Sequence, residues 1–79
     1  MSTAAKPTAE DFHKLCVEVI EAAKYSSGAG LSWAREYAQA GLRMSTAEEI
    51  SVQAKYILAN LSGWRGPEAR AAKAKLKQF

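Results

Sequence analysis

The sequence has one cysteine, Cys16, in 79 residues and contains no long hydrophobic run. A single cysteine excludes an internal disulfide and a zinc site built from cysteines, and a free thiol fits a reducing compartment. No segment approaches the roughly 20 apolar residues that a membrane-spanning helix needs. Residues 1–9 are polar and lack the central apolar run of a signal peptide. These absences predict a cytoplasmic protein with no membrane role.

Residues that catalysis usually requires are also scarce. The sequence has one histidine and no HExxH motif, no paired cysteines, no calcium-binding loop and no glycine-rich phosphate loop. His13 and Cys16 are three residues apart, so a Cys–His nucleophilic pair is the sharpest catalytic hypothesis. Cys16, however, falls in the apolar stripe of its predicted helix, where a free cysteine usually acts as a small buried hydrophobe. We expect no enzyme activity, no catalytic or metal-binding residues and no cofactor.

What the sequence does contain is a helical pattern. Apolar residues recur at steps of three and four, and no segment shows the period-two alternation of a half-buried strand. A chain of this length buries only about 60% of its unfolded surface, so its stability margin is thin unless helices pack closely or subunits pair. We predict an all-α fold, a small compact bundle of about four short helices, with a homodimer as one way to gain stability.

The first two predicted helices are separated by a loop rich in glycine and serine. The first helix follows Thr8, which can cap it, and ends near Tyr25. The second helix runs from Ser32 to Ala40. We expect Ser32 to cap this helix and Gly41 to end it in the left-handed conformation.

The third predicted helix has the strongest start signal and the most regular apolar face. Two capping boxes overlap at its start, Ser45 with Glu48 and Thr46 with Glu49. Its apolar face consists of Ala47, Ile50, Ala54, Ile57, Leu58 and Leu61.

The third helix and the last one are joined by a glycine-containing segment. We expect Gly63 to end the third helix in the left-handed conformation, with Trp64 folding back on Leu58 or Ala59 as in a Schellman ending. Pro67 suits the first position of a helix, so the last predicted helix begins there and runs to the C-terminus.

The boundaries of these signals define the domain organisation. Residues 1–7 are small and polar and precede the first helix signal, so we predict a flexible tail there and a single helical domain over residues 8–79. The core of that domain should rest on the large apolar residues of the helix faces. These are Phe12, Leu15, Val19, Ile50, Ile57, Leu58, Leu61 and Leu76.

The net positive charge of +3 is concentrated at the end of the chain. From Trp64 onward five basic residues face one acidic residue, whereas the rest of the chain has a balance of −1. Arg70, Lys73 and Lys77 recur at helical spacing and form a basic strip, with Arg65 just before it. Such a strip can bind phosphates or an acidic protein surface. The alternative is that these cations complement the helix dipole while their stems cover apolar surface.

A helix-turn-helix is a further alternative, because a short helix, a turn at Gly41 and a longer helix follow one another. In that register Glu36 and Tyr37 occupy positions where the motif packs an apolar residue and a small one. The second helix also opens with Glu48 and Glu49, which repel the phosphates that a recognition helix must approach. The pattern and the charge both disfavour this motif.

Aromatic residues provide a different candidate surface. Trp33 and Tyr37 are four residues apart on the second predicted helix, whose other side already has an apolar stripe. With Arg35 beside them, these residues have the composition that is enriched at interface hot spots. Either the two rings are exposed for a partner, or both belong to the core of so small a domain.

One segment resembles known proteins. Residues 60–70 (NLSGWRGPEAR), together with the lysine-rich end, resemble the C-terminal portion of short uncharacterised helical proteins carried by phages and plasmids. The resemblance implies a context, because small mobile-element proteins often act by binding a host protein, and anti-CRISPR and other counter-defence inhibitors are one such class. The positive net charge argues against inhibition by DNA mimicry, which needs a strongly acidic face.

The sequence as a whole predicts a non-enzymatic protein-binding module that binds a host protein or nucleoprotein complex. In its most specific form this prediction is a mobile-element inhibitor of the anti-CRISPR type. The alternative is a small basic nucleic-acid-binding protein that uses the C-terminal helix. The candidate binding residues are Trp33, Arg35, Tyr37, Arg65, Arg70, Lys73 and Lys77.

Overall fold

The fold is an all-α bundle, as the sequence predicts. A computed structural model of the chain describes residues 7–25 and 30–79, and no strand occurs in these two ranges. The predicted tail, apart from Pro7, and most of the predicted glycine- and serine-rich loop lie outside the described residues. The helices are α1 (Ala9–Tyr25), α2 (Leu31–Gly41), α3 (Ala47–Ala59) and α4 (Pro67–Leu76).

α1 is the central element of the bundle. It contacts each of the other three helices, and its largest contact is with α2. α3 packs against α2 and α4, whereas α2 and α4 do not touch within the described ranges. Along residues 7–25 and 30–79, no helix has the length and apolar character needed to cross a membrane.

Two helices begin at threonine caps, as predicted. At the start of α1, the Asp11 N–H donates to Thr8 Oγ1 at 3.2 Å and the Thr8 N–H donates to Asp11 Oδ2 at 3.0 Å. These bonds from Thr8 lower the pKa of Asp11. At the start of α3, the Glu49 N–H donates to Thr46 Oγ1 at 3.2 Å, and the Thr46 hydroxyl donates to Glu49 Oε1 at 3.0 Å. Of the two predicted pairs, Thr46 with Glu49 is therefore the one in contact, and its Glu49 carboxylate accepts from the Thr46 hydroxyl where a full capping box uses the backbone N–H.

The start and end of α2 differ from the prediction. Gly30, with φ of 81°, precedes the helix, and no side chain caps it, so Ser32 lies inside the first turn. Gly41 is helical and has no positive φ. A Cβ at Gly41 would lie 2.9 Å from Cys16 Sγ and 3.0 Å from the Phe12 ring. The glycine is needed because α1 and α2 approach closely at this point, and the predicted left-handed ending is wrong.

The end of α3 also differs from the prediction. The helix ends at Ala59. The chain then forms a tighter turn, in which the Asn60 N–H donates at 3.0 Å to Ile57 O, three residues earlier. Gly63 has no positive φ, because the positive φ values of the described residues belong to Gly30 and Gly66. The predicted Schellman ending, which needs a left-handed residue, is therefore not formed.

α4 begins as predicted and ends earlier. Pro67 is its first residue and follows Gly66, whose φ is 112°. The helix ends at Leu76 rather than at the C-terminus, and Phe79 follows in a turn in which its N–H donates to Leu76 O at 3.2 Å. This turn brings the Phe79 ring edge-on to Phe12, with ring centroids 5.5 Å apart.

The core lies between the four helices and agrees with most of the prediction. Seven of the eight predicted core residues are buried, and the eighth, Leu58, is half-buried against them. The prediction omitted Leu31, which is buried at the start of α2. It also omitted Gln53, a buried polar residue whose Nε2 donates to the Tyr37 carbonyl at 2.7 Å. This bond joins α3 to α2.

Candidate functional site

Three aromatic rings meet on the outer surface of α2 and α3. The rings of Trp33 and Tyr37 have centroids 6.4 Å apart, and the Tyr37 ring stacks on Tyr56 with centroids 5.6 Å apart and an angle of 22°. Trp33 is 62% exposed and Tyr56 is 51% exposed, with the half-buried Tyr37 between them. We call Trp33, Tyr37 and Tyr56 the aromatic cluster.

The positions of these rings follow from helix geometry and from one buried hydrogen bond. Trp33 and Tyr37 are one turn apart on α2, so their side chains share a face. Tyr56 comes from α3, and the Gln53 bond to the Tyr37 carbonyl holds the two helices together beside the stacked rings. Val52, which is 50% exposed, lies one turn before Tyr56 and extends the apolar surface. The packing of α3 against α2 therefore holds the rings in place, and Trp33 and Tyr56 are exposed to solvent.

Tyr56 is the member that the sequence analysis missed. Its signal was present, because Val52 and Tyr56 are large apolar residues four apart that fall outside the regular buried face of α3. Nothing in the sequence, however, shows that Tyr56 lies opposite Tyr37, since that depends on how α2 crosses α3.

Arg35 is not part of the aromatic cluster. It lies two residues from Trp33 and two from Tyr37, which places it about 160° away from both around the helix axis. Its side chain is exposed on the other edge of α2. The structure therefore does not bring together the Trp, Tyr and Arg side chains that the sequence suggested as one hot spot.

The predicted basic strip is also divided. Arg70 on α4 and Lys77 just after its end are exposed, whereas Lys73 is half-buried and its Nζ donates to the Trp64 carbonyl at 2.7 Å. Arg65 lines a groove between α1 and the start of α4, and Arg70, Lys73 and Lys77 do not line that groove. Since α2 does not touch α4, the strip and the ring pair on α2 lie on helices that are not neighbours.

The His13 and Cys16 side chains do not form a nucleophilic pair. Cys16 is completely buried, and burial raises the pKa of its thiol to about 12. A thiolate is the reactive form of cysteine, so this environment suppresses nucleophilic chemistry. His13 instead places Nε2 2.7 Å from the Met44 carbonyl, which links α1 to the segment between α2 and α3. In residues 7–25 and 30–79, no group of three His, Cys, Asp or Glu side chains is arranged to hold a metal ion.

Comparison of the chain with protein-family models, with curated proteins and with solved structures found no match. Function is therefore inferred from the chain's own residues and their geometry. The aromatic cluster is the strongest candidate, because it is the feature in which several large apolar side chains are both exposed and in mutual contact.

Proposed function

We propose that this protein is a non-enzymatic binding module that holds a protein partner through the aromatic cluster. The observation that carries the proposal is the contact of three rings on the surface, two of which are more than half exposed. A buried aromatic side chain removes about 150–250 Å² from water. The exposed part of Trp33 alone therefore offers on the order of 100 Å² for burial by a partner.

The charges near the cluster favour a protein over a nucleic acid. Stacking platforms for single strands combine aromatic rings with a positively charged groove that follows the backbone. The charged residues next to the three ring residues in the sequence are one acidic and one basic, Glu36 before Tyr37 and Lys55 before Tyr56, so they add no net positive charge. Trp and Tyr without a basic groove are the composition of protein interface hot spots.

The size of the cluster suits the central part of a protein interface. A specific interface buries about 800 Å² on each partner. The exposed parts of Trp33, Tyr56 and Val52 amount to on the order of 300 Å², which suits the centre of an interface whose rim is supplied by other residues. A second copy of the chain would need the same additional rim as a different protein.

The finer proposal is that binding inhibits a host protein complex, as in mobile-element inhibitors of the anti-CRISPR type. It rests on the expectation, drawn from the sequence of residues 60–70, of a relation to short phage and plasmid proteins. Such inhibitors need only occupy a surface of their target, which fits a chain whose one cysteine is buried and unreactive.

A second candidate function is weak, sequence-independent binding of nucleic acid by α4. It is favoured by the exposure of Arg70 and Lys77, which have no carboxylate within ion-pair distance in the described ranges. Two phosphate contacts predict a slope of log K against log salt of only about −2. A much steeper slope would require cations that this face of α4 does not have.

The experiment that tests the proposal is capture of partners by the tagged protein from a cytoplasmic extract, with and without nuclease. Trp33→Ala is compared with Leu42→Ala, because Leu42, which directly follows α2, is also an exposed apolar residue but lies outside the cluster. We expect one stoichiometric protein that survives nuclease, is retained by Leu42→Ala and is weakened about 30-fold by Trp33→Ala. Equal retention by both variants, or loss of every partner with nuclease, would refute the proposal.

A further inference from the structure

A second exposed feature lies between α1 and the chain around the start of α4. It is a groove with a volume of about 680 Å³. Its apolar lining includes Val17, which is 48% exposed, and Tyr25, which is 85% exposed. No residue of α2 or α3 lines it, so it is separate from the aromatic cluster. The apolar lining residues are Val17, Ala22, Tyr25, Trp64 and Ala71.

The charged residues of this groove are mainly acidic. Glu18, Glu21 and Glu68 line it, against the single cation of Arg65. The lining therefore has a local charge of −2 in a chain whose net charge is +3. Lys24 Nζ lies 3.2 Å from Glu21, and both side chains are about half exposed. Such a surface ion pair is weak, so a cation from a partner can replace Lys24 at small cost.

One wall of the groove is held in place before any ligand arrives. The Trp64 N–H donates to Leu61 O at 3.0 Å, and Lys73 Nζ donates to the Trp64 carbonyl at 2.7 Å. These two bonds fix the backbone on both sides of the Trp64 side chain. A groove that is preformed in this way loses little entropy when a ligand binds.

We propose that this groove binds a basic amphipathic helix of a protein partner. Apolar side chains on one face of that helix pack against Val17, Tyr25 and Trp64, as in other helix-in-groove complexes. Lysine or arginine side chains flanking that face pair with Glu18, Glu21 and Glu68. The complementarity of charge selects this occupant, because an acidic or neutral helix would bring no cation to Glu18 and Glu68, which form no ion pair within the described residues.

The test uses Trp64 as an internal probe. The chain has two tryptophans, so a Trp33→Phe variant leaves Trp64 as the single tryptophan, and its fluorescence reports on the groove. The probe is a synthetic amphipathic helix of about 14 residues built from Leu and Lys, with a Leu and Glu peptide of the same pattern as control. We expect saturable 1:1 binding of the Lys peptide, with a change in Trp64 emission, and no binding of the Glu peptide.

Matched charge variants separate groove binding from general attraction. Glu18→Gln with Glu68→Gln should weaken binding by at least about tenfold, because two of the three carboxylates are lost. Glu10→Gln with Glu36→Gln makes the same change of net charge at exposed positions outside the groove, and should change binding by less than about twofold.

The absence of saturable binding, equal binding of the two peptides, or equal effects of the two double variants would overturn this inference. Sedimentation of the protein alone would also overturn it if it showed a dimer that Glu18→Gln with Glu68→Gln dissociates, because a second copy would then occupy the groove. Trp33→Ala should leave peptide binding unchanged, so the inference and the proposed function can fail separately.

Discussion

The two faces of α2 reverse the usual distribution of side-chain size. The buried face consists of Leu31 and of the small residues Ala34, Ala38 and Gly41. The exposed face carries Trp33, the largest side chain of the helix, at 62% exposure. Hydrophobic burial normally places large apolar residues inside and small ones at either location. An inverted helix therefore indicates that its two faces serve different purposes.

The cause of the inversion lies in α1. Phe12 and Cys16 come so close to Gly41 that even a methyl group would meet them at about 3 Å. A helix that approaches its neighbour this closely can bury only small side chains, and close packing of this kind leaves no space for a ring. Stability thus depends on the inner face of α2, and the rings on the outer face remain available for a partner.

The largest effect should come from enlarging a small residue of the inner face. Ala38 is completely buried, whereas Ala40 is exposed two residues further along the same helix. We expect Ala38→Leu to lower the free energy of unfolding by about 3 kcal/mol through overpacking, and to lower Tm by about 12–24 °C. Ala40→Leu should change the free energy of unfolding by less than about 0.5 kcal/mol. Thermal unfolding measures the Tm of each variant. Similar Tm values would contradict the claim that the inner face of α2 has no space for a larger side chain while the outer face does.

A smaller effect is expected at Gly41. Gly41→Ala gains helix propensity but places a methyl group 2.9 Å from Cys16 Sγ, so we expect a net loss of about 1–2 kcal/mol. Cys16→Ala removes that sulfur but leaves the Phe12 ring 3.0 Å from the added methyl group, so it should cancel part of the cost of Gly41→Ala in the double variant. Urea unfolding of the four proteins gives the coupling energy, which should be at least about 0.5 kcal/mol. If the effects of the two single variants simply add in the double variant, the close approach of α1 and α2 does not explain why residue 41 is a glycine.

The smallest effect extends the same contrast to α4. Lys73 is half-buried and bonded to the Trp64 carbonyl, whereas Lys77 is exposed. Lys73→Met should lower the free energy of unfolding by about 1 kcal/mol, since it removes a hydrogen bond from a charged donor. Lys77→Met should lower it by less than about 0.5 kcal/mol. Urea unfolding of both variants checks this, and equal values would mean that the Lys73 bond contributes nothing.

Three of the four helix starts could be predicted from the sequence because their chemistry is local. Thr8, Thr46 and Pro67 act within one turn of the chain, and each begins its helix as predicted. Glycines were harder to interpret. Gly41 looks the same in the sequence whether it is needed for positive φ or for close packing, and its contact with Cys16 decides between them.

The candidate site shows the same limit. The spacing of Trp33 and Tyr37 predicts a shared face, but the addition of Tyr56 depends on the crossing of two helices. Lys73 fits the predicted basic strip by spacing, yet its ammonium group donates a hydrogen bond to the Trp64 carbonyl, nine residues earlier in the chain. In each case the missing information is a contact between residues that are distant in the sequence.

The central proposal is that the aromatic cluster, and not the basic residues of α4, binds the partner. The most direct test measures the dissociation constant of the captured partner for Trp33→Ala and for Arg70→Glu with Lys77→Glu. We predict that Trp33→Ala weakens binding about 30-fold with no change in unfolding, and that the charge reversal weakens it less than about threefold. A charge reversal that abolishes binding while Trp33→Ala binds normally would contradict the proposal.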